Sequence, residues 1–268
     1  MSAPIIYGTA WKKADTARLV TQALQLGFRA IDTACQPKHY NEAGVGQGIA
    51  AALGPALSRA DLYVQTKFTP LSSQDPAQLP YDPDASVSVQ VAQSFKASLR
   101  NLQTSYLDAL ILHSPLADEA DTLSAWRAME ALVEADGVKR LGISNCYSLD
   151  LLKALWQAAQ VKPMVLQNRF HAKTGYDREL RAYCRDHGIV YQSFWTLTAN
   201  PHVLADTTVS SLASYYQRTP AQVLFRYLTQ IGVQPLTGTT SAEHMKQDLA
   251  IEAFALTSSE LALMTELF

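Results

Sequence analysis

The chain has 268 residues, of which 48% are hydrophobic and 17% charged, and its formal net charge at pH 7 is −2. This balance is ordinary for a globular protein with a large apolar core, and it offers no basic surface for nucleic acid. The sequence contains no run of about 18 apolar residues and no signal-peptide pattern at its N-terminus. We therefore expect a cytoplasmic protein without membrane contacts or an obligate protein partner.

Short segments rich in Val, Ile, Tyr and Phe alternate with helix-like segments, at the spacing of about 30 residues that is typical of strand–helix–strand units. The eight predicted strands are 5–8, 30–34, 62–68, 109–113, 140–144, 164–170, 189–194 and 233–238. Helical periodicity is clearest in 14–27, 121–137 and 150–160. Eight such units predict an α/β fold, a closed (β/α)8 TIM barrel formed by residues 1–268 as one domain. An open, doubly wound sheet is the structural alternative.

Two long connections are expected at the C-terminal face of the barrel, where enzymes with this fold place their chemistry. Residues 69–85 are rich in Pro, Ser and Asp, and residues 195–206 follow the seventh strand. The glycine-rich stretch 44–48 resembles a dinucleotide fingerprint, but it does not directly follow a strand. We interpret it as the start of a closely packed helix.

Polar residues recur where the predicted strands end. Asp32, Lys67 and His113 end the second, third and fourth strands, and Tyr40 lies in the loop after the second. A nearby Lys cation is expected to lower the pKa of the tyrosine, and the imidazole could polarise a carbonyl oxygen. Taken singly, Asp32 could be a helix cap and His113 a core histidine. Together they indicate a proton-transfer site.

The other cysteines and histidines carry weaker signals. Cys35, Cys146 and Cys184 form no CxxC pair, which favours free thiols in a reducing compartment. Cys35 lies close to Asp32, yet a small buried residue is a better interpretation than a redox-sensitive thiol. The remaining histidines lack metal-ligand spacing, so no metal site is expected.

Several motifs together resemble those of the aldo-keto reductases. They are GFRAIDTA, HYNEAGVGQGI, YVQTKF, LILHSP, LGISN and GTTSAEHMKQDL, and they span nearly the whole chain in the order of that family. The resemblance implies a barrel whose C-terminal face binds an extended nicotinamide cofactor without a Rossmann domain. It also implies reduction of a small carbonyl substrate.

The resemblance assigns roles to individual residues. It implies a catalytic tetrad of Asp32, Tyr40, Lys67 and His113. The residues implied to bind the cofactor are Ser144, Asn145 and Gln167 at the carboxamide, Phe194 against the nicotinamide ring, Leu197, and Thr237, Gly238, Thr239, Thr240, His244, Gln247 and Asp248 at the nucleotide end. Trp11, Tyr81 and Trp195 are expected to line the substrate pocket.

Three departures from the family pattern affect these expectations. Asp32 and Tyr40 lie eight residues apart, three more than is typical of the family. The common PKS triplet reads Pro235-Leu236-Thr237, which removes a lysine from the phosphate site, and Trp195 replaces a small residue. His244 stands where the family often has an arginine. We therefore expect NADPH as the cofactor, with weakened selectivity and NADH usable.

Two alternatives to a reductase stay open from the sequence. One is a regulatory or sensor protein of the same fold that holds the cofactor and turns over slowly. The other is a Schiff-base aldolase that uses Lys67, since a desolvated lysine on a barrel strand is also an aldolase device.

Overall fold

A computed structural model describes residues 3–268, and over this range eight parallel strands close into a barrel. The strands are β1 (Ile6–Gly8), β2 (Ala30–Asp32), β3 (Tyr63–Phe68), β4 (Ala109–Leu112), β5 (Leu141–Ser144), β6 (Val165–Arg169), β7 (Val190–Phe194) and β8 (Val233–Thr237). Closure is direct, because β1 pairs with β8 through Ile6 opposite Leu236. The predicted TIM barrel is confirmed, and the open sheet is excluded. Met1 and Ser2, which begin the predicted domain, lie outside the described residues.

Helices surround the barrel and connect its strands. They are α1 (Thr16–Leu26), α2 (Glu42–Ala52), α3 (Val87–Leu102), α4 (Glu119–Glu134), α5 (Leu149–Ala158), α6 (Arg178–Asp186), α7 (Pro201–Leu204), α8 (Thr207–Tyr216), α9 (Pro220–Gln230), α10 (Ala242–Leu249) and α11 (Ser258–Thr265). The helical segments predicted from periodicity correspond to α1, α4 and α5. None of the helices in residues 3–268 is long and apolar enough to cross a membrane.

Local sequence sets the ends of these helices. At α9, Thr219 and Gln222 form a reciprocal capping box and Pro220 occupies the first turn, where its missing N–H costs nothing. At α1, the chain leaves the helix through Gly27 with φ of 122°, a conformation that side chains with a Cβ rarely adopt. These signals begin and end each helix so that its apolar face meets the strands.

The glycine-rich stretch lies in α2, as the sequence interpretation proposed. Asn41 caps the helix by accepting a hydrogen bond from the Gly44 backbone nitrogen at 2.9 Å. A Cβ on Gly46 would lie 2.1 Å from the carbonyl oxygen of Asn101, and one on Gly48 would lie 2.6 Å from that of Ala17. Glycine is needed here because neighbouring backbones approach too closely for a side chain.

The apolar core lies mainly between strands and helices. Trp126 of α4 and Phe225 of α9 are fully buried there, as are Cys35, Cys146 and Cys184, which are free thiols. Burial fits the interpretation of Cys35 as a small core residue. No cluster of His, Cys, Asp or Glu in residues 3–268 could hold a metal ion.

The interior of the barrel is unusually polar. Gln65, Gln167, Gln192 and Gln234, here called the glutamine layer, point inward from four strands. The Gln192 side chain accepts from Gln65 at 2.9 Å and from Gln167 at 3.0 Å, and it donates to Gln234 at 3.1 Å. Each amide offers donors and an acceptor, so the layer satisfies its own buried polar groups. It forms the floor beneath the C-terminal mouth.

Candidate active site

A cavity of about 980 Å³ opens at the C-terminal end of the barrel. Its wall combines side chains from the strand ends with residues from the loops that follow them. Of the residues predicted for the site, the cavity is lined by Trp11, Asp32, Tyr40, His113, Ser144, Asn145, Gln167, Phe194, Trp195, Leu197, Thr237, Gly238, Thr239, His244, Gln247 and Asp248. The topology therefore gathers in one place groups that lie more than two hundred residues apart in the chain.

A buried ion pair lies beneath this cavity. The Lys67 ammonium donates to both carboxylate oxygens of Asp32 at 2.7 Å and to the carbonyl oxygen of Thr33 at 2.8 Å. Gln65 and Gln167 also donate to Asp32, at 2.6 and 3.0 Å. Burial lowers the pKa of Lys67, and the Asp32 carboxylate opposes that effect. With three hydrogen bonds and 1% exposure, the ammonium is held inside the wall rather than on the cavity surface.

Tyr40 covers this pair from the cavity side. Its ring centroid lies 5.1 Å from the Lys67 Nζ and 6.0 Å from the His113 ring, with the two rings edge to face. Burial, and next the charge of Asp32, raise the pKa of Tyr40 above its usual range. The expectation that Lys67 lowers this pKa is therefore wrong, because desolvation outweighs the nearby cation. At neutral pH the phenol is fully protonated.

A tight turn brings Tyr40 to this position despite the three additional residues. The backbone nitrogens of His39 and Tyr40 both donate to the carbonyl oxygen of Gln36, at 3.2 and 3.0 Å. The Gln36 side chain is anchored in turn by a 2.7 Å bond to the carbonyl oxygen of Ser73. The extra residues are taken up in the turn, and the tyrosine returns to the cavity.

His113 follows β4 and is fixed from behind by Thr69. The Thr69 hydroxyl lies 2.7 Å from the imidazole Nδ1, and the Asn145 amide donates to the His113 carbonyl oxygen at 2.8 Å. Burial, and then the charges of Lys67 and His39, lower the pKa of His113 well below its usual value. The imidazole is therefore neutral at pH 7, and its Nε2 edge is left for a ligand.

The residues expected at the carboxamide lie side by side on β5 and β6. Ser144 donates to the carbonyl oxygen of Gln167 at 2.7 Å, and Asn145 adopts a left-handed backbone with φ of 52°. An asparagine tolerates this conformation better than most residues. Gln167 lines the cavity while its amide nitrogen donates to Asp32, so it contacts the ion pair as well.

Aromatic side chains form the next part of the wall. Phe194 ends β7, and Trp195 follows it with φ of 56° and an exposed ring. On the opposite side Trp11, with φ of 64°, packs on the His39 ring at a centroid distance of 4.1 Å. Left-handed backbone in a bulky residue is strained, and such strain is concentrated at functional sites.

The residues expected at the nucleotide end of the cofactor lie where β8 meets α10. Thr237 donates to Asp248 at 2.7 Å, and Ser241 caps α10 through the His244 backbone nitrogen at 3.3 Å. Burial raises the pKa of Asp248 to about 6, opposed by the Thr237 hydrogen bond and by His244. The exposed His244 side chain and Thr239 lie at the cavity edge.

Two predicted residues and one tetrad member do not line the cavity. Tyr81 is buried, packs its ring on Phe68 at 5.7 Å and donates to the Thr69 carbonyl oxygen at 2.7 Å. It holds the 69–85 connection against the barrel and does not line the cavity. Thr240 is exposed and does not line the cavity. Lys67 lies behind Asp32, as described above.

Sequence reasoning missed two cations on the cavity wall. The Lys12 ammonium donates to the carbonyl oxygen of Gly238, and its pKa is lowered by burial. Arg169, the last residue of β6, also lines the cavity. The signal for Arg169 was available, because it lies two residues after Gln167 on a strand and so shares its inward face.

Known proteins resemble this chain over nearly its whole length. The model of the "Aldo/keto reductase family" matches residues 4–268. Glyoxal reductase of Bacillus subtilis (strain 168) is 30% identical over 248 residues, covering 92% of this chain and 81% of that protein. A crystal structure of an aldo-keto reductase from Bombyx mori in complex with NADP superposes with a TM-score of 0.83 at 26% identity, covering 98% and 88% of the two chains. An aldo/keto reductase from Brucella melitensis superposes with a TM-score of 0.82 at 27% identity, covering 99% and 94%.

The match extends over the strands, the connecting loops and the cavity alike. The chain belongs to the aldo/keto reductase family. It is accordingly an oxidoreductase of carbonyl compounds, as the motifs of the sequence indicated.

Proposed function

We propose that the chain reduces aldehydes or ketones with NADPH, and that Tyr40 is the general acid. The observation that carries the proposal is the grouping of a protonated phenol, a neutral imidazole and a buried ion pair on one side of the cavity. A relative is named methylglyoxal reductase DkgA in Yersinia pestis, and the Bombyx mori structure contains NADP. Both names support carbonyl reduction with a nicotinamide cofactor.

The residues present fit such a cofactor. The wall opposite the tetrad lacks a side chain at Gly238, where a Cβ would meet only the Lys12 ammonium at 3.6 Å and the Gly8 carbonyl oxygen at 3.9 Å. Lys12 is a cation without a carboxylate partner in residues 3–268, and so it suits a phosphate group. When bound, NADPH supplies a hydride to the carbonyl carbon.

The protein's own side chains orient and protonate the carbonyl oxygen of the substrate. Tyr40 holds the proton that the oxygen receives, because burial keeps its phenol protonated at neutral pH. The neutral His113 orients the oxygen through the nitrogen that does not face Thr69. As Tyr40 gives up its proton, the Lys67 ammonium 5.1 Å from the ring stabilises the developing phenolate. Asp32 keeps that ammonium charged and fixed.

The cofactor end has few cations. Lys12 and His244 line the cavity there, and Arg218 and Lys246 lie in a shallow depression beside it. We propose that NADPH is preferred with modest selectivity and that NADH is usable. His244, whose Nδ1 lies 3.5 Å from the Thr239 hydroxyl, is the proposed discriminator for the 2′-phosphate.

The two alternatives fit the site less well. A Schiff-base lysine must present a free amine to the substrate, whereas Lys67 donates three hydrogen bonds and lies behind the cavity wall. A sensor protein would bind the cofactor and turn over slowly. Sustained turnover on simple aldehydes separates that possibility from an enzyme.

The Tyr40→Phe variant tests the proposal directly. Loss of the proton donor should lower kcat for aldehyde reduction about 10²–10⁴-fold while cofactor binding, measured by tryptophan quenching, is retained. Tyr215→Phe, which removes a hydroxyl from a tyrosine with 77% exposure on α8, is the matched control and should behave as wild type. If Tyr40→Phe keeps more than about a tenth of wild-type activity, the proton comes from another group.

A further inference from the structure

The cavity wall carries a cation that the proposed mechanism does not use. Arg169 ends β6 two residues after Gln167, and the intervening Asn168 points outward, bonding Cys146 and Asp177 behind the strand. Because side chains alternate along a strand, Arg169 faces the same interior as Gln167, about 7 Å nearer the mouth. It therefore lies one step outward from the Asp32–Lys67 pair.

Aromatic rings hold the guanidinium in place. Its central carbon lies 4.1 Å from the Trp195 ring centroid and 5.9 Å from that of Phe194. Its Nε is buried and has no hydrogen-bond partner. Stacking on aromatic faces fixes the plane of an arginine while leaving its edge free. Arg169 lines the cavity, and its terminal nitrogens form no hydrogen bond within residues 3–268.

This cation also lacks a counter-ion. Within residues 3–268 the Arg169 guanidinium forms no ion pair and no hydrogen bond, and only the backbone nitrogen of this residue donates to a side chain, the Tyr147 hydroxyl at 3.2 Å. Of the acidic residues on the cavity wall, Asp32 is paired with Lys67, and Asp248 is bonded to Thr237 at the nucleotide end. Lys38 adds a further positive charge to the same cavity. An unpaired, partly buried arginine is costly unless a ligand supplies the missing charge.

We propose that Arg169 binds a carboxylate on the substrate, so that the enzyme prefers carbonyl compounds bearing a second, anionic carboxylate group. The inference rests on the proposed reductase function and adds a substrate class to it. A guanidinium fork matches the two oxygens of a carboxylate and binds them with charge-assisted hydrogen bonds. The carbonyl would lie at Tyr40 and His113 while the carboxylate lies at the Trp195 side of the mouth.

The test compares substrates that differ only in that group. 4-Carboxybenzaldehyde and its neutral carboxamide, 4-formylbenzamide, form one pair, and 4-oxobutanoate with 4-oxobutanamide forms a shorter one. The measured quantity is the ratio of kcat/KM for the anionic over the neutral member, in which any general effect of a substitution on the site cancels. Wild type should prefer the anionic member of at least one pair.

Substitutions at Arg169 should change this ratio in a graded way. Arg169→Gln should lower it about 10–100-fold, the usual worth of a hydrogen bond to a charged group, mainly through KM. Arg169→Lys keeps the charge but loses the forked pair of donors, so its ratio should lie between those of wild type and Arg169→Gln. Lys173→Gln, which removes a charge from an exposed residue in the loop after β6, is the matched control and should leave the ratio unchanged.

A binding measurement separates this inference from the catalytic proposal. Titrating benzoate against the cofactor-bound protein should quench Trp195 fluorescence in wild type and much less in Arg169→Gln. If both substrates turn over but the ratio and benzoate binding are unaffected by Arg169→Gln, the inference is wrong while the reductase proposal stands. If Arg169→Gln instead weakens NADPH binding and lowers kcat/KM equally for the anionic and the neutral substrate, Arg169 belongs to the cofactor site. That result also overturns the inference of a carboxylate site. If benzoate binds through Arg169 but no aldehyde is reduced, the reductase proposal fails and the carboxylate site stands.

Discussion

The Asp32–Lys67 pair allows a quantitative test of how well this site is sealed from water. Lys67→Met removes the cation and keeps most of the side-chain volume, leaving Asp32 with the amide donors of Gln65 and Gln167 at 2.6 and 3.0 Å. Asp32→Asn leaves the ammonium with a neutral amide and the Thr33 carbonyl oxygen at 2.8 Å. The double variant Asp32→Asn/Lys67→Met removes both charges of the pair.

Removing one member of a buried ion pair typically destabilises a protein by about 3–5 kcal/mol, because the remaining charge is uncompensated. We expect Lys67→Met at the lower end of that range, since two amides still stabilise the carboxylate. Asp32→Asn should lie at the upper end, because the ammonium loses its main partners. The double variant should be less destabilised than either single variant, since replacing a whole pair by neutral groups is often tolerated.

The two single variants should respond to pH in opposite directions. Burial already lowers the pKa of Lys67, and loss of the Asp32 carboxylate would lower it further. The deficit of Asp32→Asn should therefore shrink as the pH rises from about 7 to 10, where the amine becomes neutral. In Lys67→Met the buried charge is a carboxylate, which is relieved by gaining a proton. That deficit should shrink as the pH falls from about 7 to 5.

Urea unfolding at several pH values, followed by tryptophan fluorescence and far-UV circular dichroism, provides the measurement. Coinciding transitions from the two probes are required, since only then does one free energy of unfolding describe the curve. Asp15→Asn is the control, because its pair with Arg18 is 65% and 62% exposed and should contribute little. Losses in the free energy of unfolding below about 1 kcal/mol would refute the conclusion that the pair is shielded from water. Losses that change in the same direction with pH in both single variants would refute it as well.

Two further predictions concern the nucleotide end of the cavity. The preference for NADPH over NADH, taken as the ratio of kcat/KM values, should fall about 10-fold in His244→Ala, because the variant loses a hydrogen-bond donor to the 2′-phosphate. An unchanged ratio in His244→Ala would exclude His244 as the discriminator. Since the Asp248 pKa is raised to about 6, its contribution to stability is complete below about pH 4 and is lost as the pH rises through 6. The free energy of unfolding in urea should therefore be the same for Asp248→Asn and wild type near pH 4, and about 2 kcal/mol higher for Asp248→Asn near pH 8. A difference that does not depend on pH would contradict the raised pKa of Asp248.

The barrel and most of the cavity wall followed from the sequence. Alternation of apolar segments fixes eight parallel strands, and the carboxyl ends of parallel strands must meet at one face. Asp32, Lys67 and His113 therefore had to come together once the strands were identified. The position of Tyr40 was harder to predict, because it depends on whether three extra residues displace the chain. The turn closed on the Gln36 carbonyl oxygen takes up the extra residues, and no local sequence pattern predicts that turn.

The placement of Tyr81 and the direction of the Tyr40 pKa differ from the sequence expectations for physical reasons. Tyr81 lies in a long connection, and its hydroxyl bonds the Thr69 carbonyl oxygen. Such a tertiary contact leaves no periodic signal in the sequence. The direction of the Tyr40 pKa depends on how desolvation balances the charges of Lys67 and Asp32. That balance is a property of depth and distance, so residue types alone predicted the wrong sign.

The glutamine layer has a consequence for how this protein can change over evolutionary time. Gln192 bonds the other three amides, so replacing it by leucine leaves several buried donors and acceptors without partners, each costing about 1–3 kcal/mol. Replacing Gln65, Gln192 and Gln234 together by apolar residues of similar volume would remove their mutual hydrogen bonds at once, leaving the outside partners Asp32, Gln167, Tyr63 and Ala3 to be satisfied otherwise. Gln65, Gln192 and Gln234 should therefore vary as a set among related sequences, with few intermediates. Gln167 and Gln65 also bond Asp32, so a change in the barrel floor also alters the surroundings of the carboxylate in the proposed active site.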